Sequence, residues 1–183
     1  MGLRQYRESI IGAFHKLLKE KYKRIIYTIH DRHIGLHVRR GDFKVVESNI
    51  TPLSYFVNVV KELRIIYQQS IPVTIFSDGD ITELSDLLAL DNVELYQSGV
   101  DITDLVTLSK FNIIVPSPGS TFSLWAGFIS SADIIVHDGY NNGAIRTTNG
   151  TEKAGLFEGT ISDYYQFCNA REDSKNNNIE YND

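Results

Sequence analysis

A chain of 183 residues has room for one domain with a real core. Hydrophobic residues make up 42% and the formal net charge is −5, so bulk electrostatics gives no reason to expect nucleic acid, while a local cationic site for a small anion stays compatible. The single cysteine, Cys168, excludes an intrachain disulfide and a cysteine-based metal cage; no apolar run of about 18 residues predicts a membrane span, and the N-terminus lacks the apolar core of a signal peptide.

In chain order, residues 3 to 22 are predicted helical, because Leu3, Tyr6, Ile10, Phe14, Leu17 and Leu18 recur at helical spacing. Its basic residues, Lys16, Lys19, Lys21, Lys23 and Arg24, read as a solvated face with a basic C-terminal end that suits the helix dipole. Ile34-Gly35-Leu36-His37-Val38 reads as a short buried strand running into Arg39-Arg40-Gly41-Asp42. Thr51-Pro52 opens the next helix, with Thr51 expected to cap it and Pro52 at the first helical position. Its stripe is Leu53, Phe56, Val57, Val60, Leu63, Ile66 and Tyr67.

Residues 71 to 76 form a second buried strand that ends at Ser77-Asp78-Gly79-Asp80. A helix over residues 81 to 90, a strand over 93 to 96 and a helix over 101 to 111 follow. A fourth strand, 112 to 115, enters the small-residue turn Pro116-Ser117-Pro118-Gly119-Ser120-Thr121. Then come a helix over 122 to 130 and a fifth strand over 132 to 136. Past residue 140 the pattern fades, one more helix is expected over 157 to 167, and residues 171 to 183 read as a polar, disordered tail behind a single domain of residues 1 to 170. Strands alternating with helices argue an α/β fold: a Rossmann-like parallel sheet with helices on both faces.

Three strand ends carry polar groups: His37, Arg39, Arg40 and Asp42; Ser77, Asp78 and Asp80; and the hydroxyls from Ser117 to Ser123. In a parallel sheet such ends share one edge, where open α/β sheets bind ligands. The planar guanidinium fork suits phosphate oxygens. A turn of small residues at a helix start can cradle an anion with its N–H groups. Together they point to a diphosphate ligand.

His37-Val38-Arg39-Arg40-Gly41-Asp42 resembles the His-x-Arg-Arg-x-Asp motif of the fucosyltransferase superfamily with α1,2-, α1,6- and protein O-fucosyl activities. Ile75-Phe76-Ser77-Asp78 looks like the second motif of that group. Residues 104 to 114 followed by Ser120-Thr121-Phe122-Ser123-Leu124-Trp125 resemble the third, closest to the α1,2 branch. The resemblance covers about residues 33 to 137. It implies the donor-binding, C-terminal half of a GT-B glycosyltransferase that takes GDP-fucose and transfers the sugar to a glycan hydroxyl with inversion. It also implies no metal and no cofactor beyond the GDP-sugar co-substrate.

By position in the motifs, Arg39 would bind the β-phosphate and stabilise the leaving GDP, with Arg40 supporting it or the loop. His37 would lie near the nucleotide, Asp78 would belong to the donor site and Asp104 would read the guanine edge. Ser120, Thr121 and Ser123 would hold phosphate oxygens. Glu47, ten residues after His37, stands at the spacing of the catalytic acid in the α1,6 branch, where a carboxylate deprotonates the acceptor hydroxyl. Asp42 is expected to be structural, accepting loop N–H groups or pairing with Arg40.

Two departures stand out: Pro116 to Gly119 precede Ser120, and Leu124 replaces a tryptophan. Only about 33 residues precede the central strand, too few for the N-terminal half that helps form an acceptor site. This predicts either a domain of a longer chain or a small protein that needs an acceptor-binding partner. The expected location is the cytoplasm for a bacterial or viral protein, or the Golgi lumen for part of a longer membrane-anchored eukaryotic chain. Two alternatives stay open: a non-catalytic GDP-sugar-binding half, and a metal-dependent GT-A-type enzyme that uses Asp78 and Asp80.

Overall fold

The computed structural model describes residues 3–23, 32–41, 50–139, 143–146 and 156–179. A 3-10 turn (Leu3–Tyr6) leads into α1 (Arg7–Leu17), and α2 (Glu20–Lys23) follows. The predicted single helix is thus divided at Leu18, whose extended backbone turns its own side chain into the core. The strands are β1 (Ile34–Val38), β2 (Val73–Ser77), β3 (Val93–Leu95), β4 (Ile113–Val115), β5 (Asp133–Ile135) and β6 (Glu158–Gly159). The helices between them are α3 (Leu53–Tyr67), α4 (Ser85–Leu88, after a 3-10 turn), α5 (Asp101–Leu108) and α6 (Thr121–Ile129). The last helix, α7, spans Ile161–Ile179.

The six strands lie in the order β3-β2-β1-β4-β5-β6, and every pairing is parallel. That is the doubly wound order, whose connections change direction between β1 and β4; the crevice at their carboxyl ends is where such folds place ligands. The predicted α/β class and its five strands are all present. The sixth strand has two residues and carries no alternating pattern to announce it. Phe157, expected to open the last helix, instead precedes β6, and α7 runs on past Arg171, so the expected polar tail begins inside a helix.

Each strand of the centre is buried on both faces, as parallel strands are. Ile34, Leu36 and Val38 of β1 pack with Phe56, Val60 and Leu63 of α3, with Leu87, and with Tyr164 of α7. The opposite face meets α5: a Cβ on Gly35 would lie 2.7 Å from Leu108 Cδ1 and 2.9 Å from the Phe111 ring, so glycine is what allows this helix so close to β1. α3 carries its apolar residues at helical spacing and ends at Gln68, which adopts the left-handed conformation (φ 52°) ahead of Pro72. Its N-cap is Pro52, without a side-chain cap bond. Thr51 therefore does not cap it; Thr51 serves through its carbonyl.

The first helix has no buried residue; Ile10 packs against the cluster around Phe128, and Arg7 ties the helix to the end of α6. Arg7 donates from Nε to Phe128 O and from Nη2 to Ser130 O, each at 2.5 Å. A cation there also complements the C-terminal end of α6.

Candidate functional site

Side chains alternate across a strand, and this separates the two arginines that follow β1. His37 is on the α5–α6 face, where its ring stacks on Phe122 with centroids 4.9 Å apart. Arg40 goes the other way, like Val38. Its side chain is 6% exposed and Nη1 donates to Thr51 O at 2.8 Å. Arg40 thus ties the loop after β1 to the start of α3. Arg39 stays at the edge, with Nη1 2.8 Å from Asp78 Oδ2 and both side chains about a third exposed (30% and 31%).

The backbone carrying these arginines is fixed by side chains from the two neighbouring strands. Ser117, beyond β4, donates from Oγ to His37 O (2.7 Å) and accepts the Arg39 N–H (2.8 Å). Ser77, at the end of β2, donates to Val38 O (2.6 Å) and accepts the Gly79 N–H (3.0 Å). Asp78 Oδ1 accepts the Arg40 N–H at 2.7 Å. Two glycines make this approach possible: a Cβ on Gly41 would collide with Asp78 Oδ2, and one on Gly79 would meet Arg40 Cγ at 2.7 Å. The sequence places Ser77 and Ser117 among the polar groups at the strand ends but does not show that they pin the arginine loop. A serine at the end of each neighbouring strand was the only signal.

Asp78 thus has both oxygens engaged with the arginine loop. The Asp80 carboxylate caps the following 3-10 turn, whose Glu83 bonds back to the Asp80 N–H at 2.8 Å. The two carboxylates that a metal-dependent alternative would use meet different partners here, Asp78 the arginine loop and Asp80 the turn that follows it.

Across β1, the turn after β4 leads into the N-terminus of α6. Gly119 takes φ +73°, the left-handed region that favours glycine. Ser120 is the N-cap, buried and without a side-chain cap bond, while its N–H donates to Ser117 O at 3.2 Å. Thr121, the first residue of the helix, is exposed. Ser123 is fully buried and turns its hydroxyl back to Ser120 O at 3.3 Å, so its bond is internal to the helix. Asp104 lies in the first turn of α5. Its Oδ1 accepts the Ser98 N–H at 3.1 Å, and Oδ2 has no hydrogen-bond partner among the described residues. Because all strands run the same way, this turn and the arginine loop share the carboxyl edge of the sheet. Asp42 and Glu47 lie outside the described residues.

His37 is 4% exposed, and its Nδ1 has no hydrogen-bond partner among the described residues. Burial lowers its pKa to about 4; Asp78 pulls it up and Arg39 pushes it down. The ring is therefore neutral at pH 7. Between pH 6.5 and about 4 the unfolded chain takes up a proton that the folded chain refuses. The stability that depends on the neutral ring is complete above pH 6.5 and is lost as pH falls to about 4, by about 3 kcal/mol. Urea unfolding at pH 7 and pH 4 should show this loss, and His37→Gln should flatten that part of the profile.

The order of the sheet and the cationic loop at its switch point define an open α/β domain, a class in which ligands are held at the carboxyl edge. The chain belongs to glycosyl transferase family 11, whose model matches residues 5–152. No curated protein sequence matches it. Among solved structures, the α-1,6-fucosyltransferase NodZ soaked with GDP-fucose is 18% identical, with a TM-score of 0.47 over 77% of this chain and 47% of that one. The fucosyltransferase NodZ from Bradyrhizobium is 19% identical, with a TM-score of 0.46 over 72% of this chain and 45% of that one. The chain thus spans less than half the length of these solved structures.

Proposed function

We propose that this domain is the donor-binding half of a fucosyltransferase of GT-B type, which takes GDP-fucose and transfers the sugar to a glycan hydroxyl with inversion. One observation carries the reading: Arg39 is held at the switch point on a loop locked by Ser117, Ser77 and Asp78, next to the N-terminus of α6. Glycosyl transfer builds negative charge on the departing diphosphate. A cation carried to the switch point on a fixed backbone, with N–H groups beside it, stabilises that charge.

In this reading Arg39 takes the β-phosphate and displaces its contact with Asp78. The N–H of Thr121 and the hydroxyls of Ser120 and Thr121 take further phosphate oxygens. Asp104 offers Oδ2 to the guanine edge, while Oδ1 keeps its loop in place. Glu47 is the candidate base for the acceptor hydroxyl. An acceptor-binding domain or partner chain completes the enzyme, and the GDP-sugar is the co-substrate with no metal required.

The test is calorimetric titration with GDP and with UDP in EDTA. GDP-selective binding without metal is the expected result, and Asp104→Ala should cut the preference for GDP about tenfold or more, the loss of a charged hydrogen bond to the base. Binding that appears only with manganese would overturn the metal-free reading. A domain that binds GDP but has no transferase activity, even with its acceptor-binding half supplied, would be a non-catalytic half.

A further inference from the structure

The regular β1–β4 ladder ends at Leu36↔Val115. In a parallel ladder, one residue donates its N–H to a carbonyl on the neighbouring strand and accepts, through its own carbonyl, the N–H two residues further along. The Ser117 hydroxyl does both with one atom. It donates to His37 O at 2.7 Å and accepts from Arg39 N at 2.8 Å, straddling Val38 as the next ladder residue would. The backbone around it has less to offer. Pro116 and Pro118 have no N–H, and the Ser117 carbonyl is taken by Ser120 N at 3.2 Å. On the other side of β1 the ladder with β2 extends further, to Val38↔Ser77. Ser117 thus holds the β4 side of the arginine loop where Arg39 leaves the sheet.

We propose that Ser117 is a positioning residue for diphosphate recognition: its hydroxyl continues the β1–β4 ladder by one residue and so fixes the backbone from which Arg39 reaches the ligand. The inference rests on the reading of Arg39 as the ligand of the β-phosphate. Ser117 is 1% exposed and forms no part of the ligand-facing surface, so it acts through Arg39. Without the hydroxyl, His37 O and Arg39 N–H lose their partner and the loop relaxes. A misplacement of about 1 Å at such a contact costs up to about 100-fold.

GDP and GMP separate this role from a general loss of structure, because GMP lacks the phosphate that Arg39 reads. Both are titrated against wild-type protein and Ser117→Ala in EDTA, with thermal melts alongside. Ser117→Cys, which keeps a side chain in the space but hydrogen-bonds weakly, replaces the alanine variant if that one does not fold. Ser117→Ala should weaken GDP binding about tenfold and leave GMP within about twofold, so that most of the preference for the diphosphate disappears. An unchanged preference overturns the inference. So do equal losses for both nucleotides, which would mark a purely structural serine. Wild-type protein that binds neither nucleotide, or binds both equally, removes the assignment of Arg39 itself, and the inference falls with it.

Discussion

Arg39→Ala should lower GDP affinity about 100-fold and leave the thermal midpoint nearly unchanged. The side chain is a third exposed and its pairing with Asp78 is exposed to a similar degree, so losing that ion pair costs the fold little. The ligand loses a guanidinium whose charge-assisted bonds to phosphate are worth about 2–5 kcal/mol when one partner is truncated. Arg39→Lys should recover only part of the affinity, because an ammonium lacks the planar fork. Arg40→Ala should do the reverse. Its guanidinium is buried against Thr51 O, so stability should fall first and binding second. Calorimetry and thermal melts on the two variants check both halves. Unchanged GDP affinity in Arg39→Ala would sink the assignment of the site.

The largest loss of stability is expected at the other edge of the sheet. Arg146 is 2% exposed. It donates from Nη1 to Ala132 O (2.7 Å) and from Nη2 to Phe157 O (2.9 Å), and its Nε lies 3.6 Å from Glu158 Oε2. Those carbonyls precede β5 and β6, so one side chain joins the starts of two strands to residues 143–146. Burial lowers the Arg146 pKa while Glu158 pulls it back up; the pair survives burial because each charge has the other. Arg146→Ala leaves Glu158 buried without its partner and should cost about 3–5 kcal/mol, lowering the thermal midpoint by roughly 10 °C. Replacing both, with Arg146→Met and Glu158→Leu, should recover only a small part of the loss, because the Ala132 and Phe157 carbonyls and the Ile145 and Arg146 N–H groups stay without these partners. GDP affinity should not move in any variant that stays folded, since this cluster is at the amino edge and the candidate site at the carboxyl edge.

The centre of this fold was legible because its strands speak plainly. β1, β2 and β4 are continuous apolar runs, and α3 has an unbroken stripe from Leu53 to Tyr67. The short elements were not. Glu158 and Gly159 have no pattern of their own and become a strand only because Ile134 and Ile135 lie alongside. Thr51 looked like a cap, but propensity says nothing about an arginine eleven residues earlier claiming its carbonyl.

The cationic loop and the hydroxyl-rich turn were visible in the residues themselves. The split between Arg39 and Arg40 was latent in the alternation of β1, which sends successive residues to opposite faces. The part that Ser117 and Ser77 play was hidden because their bonds belong to tertiary pairing. Ser123 carries the same hydroxyl and spends it inside its own helix.

The bond between Arg39 and Ser117 joins residues 78 apart in the chain, whereas Arg40 and Asp78 are separated by 38. Bringing distant segments together costs loop entropy before any contact compensates, and folds rich in such pairings form slowly. Strands β1, β2 and β3 with their helices can associate early and set Asp78 against the arginine loop. The crevice itself has no second wall until β4 docks on the far side of β1. In a refolding experiment, recovery of nucleotide binding should therefore lag behind recovery of helix content, and the delay measures how long β1 waits for its later neighbour.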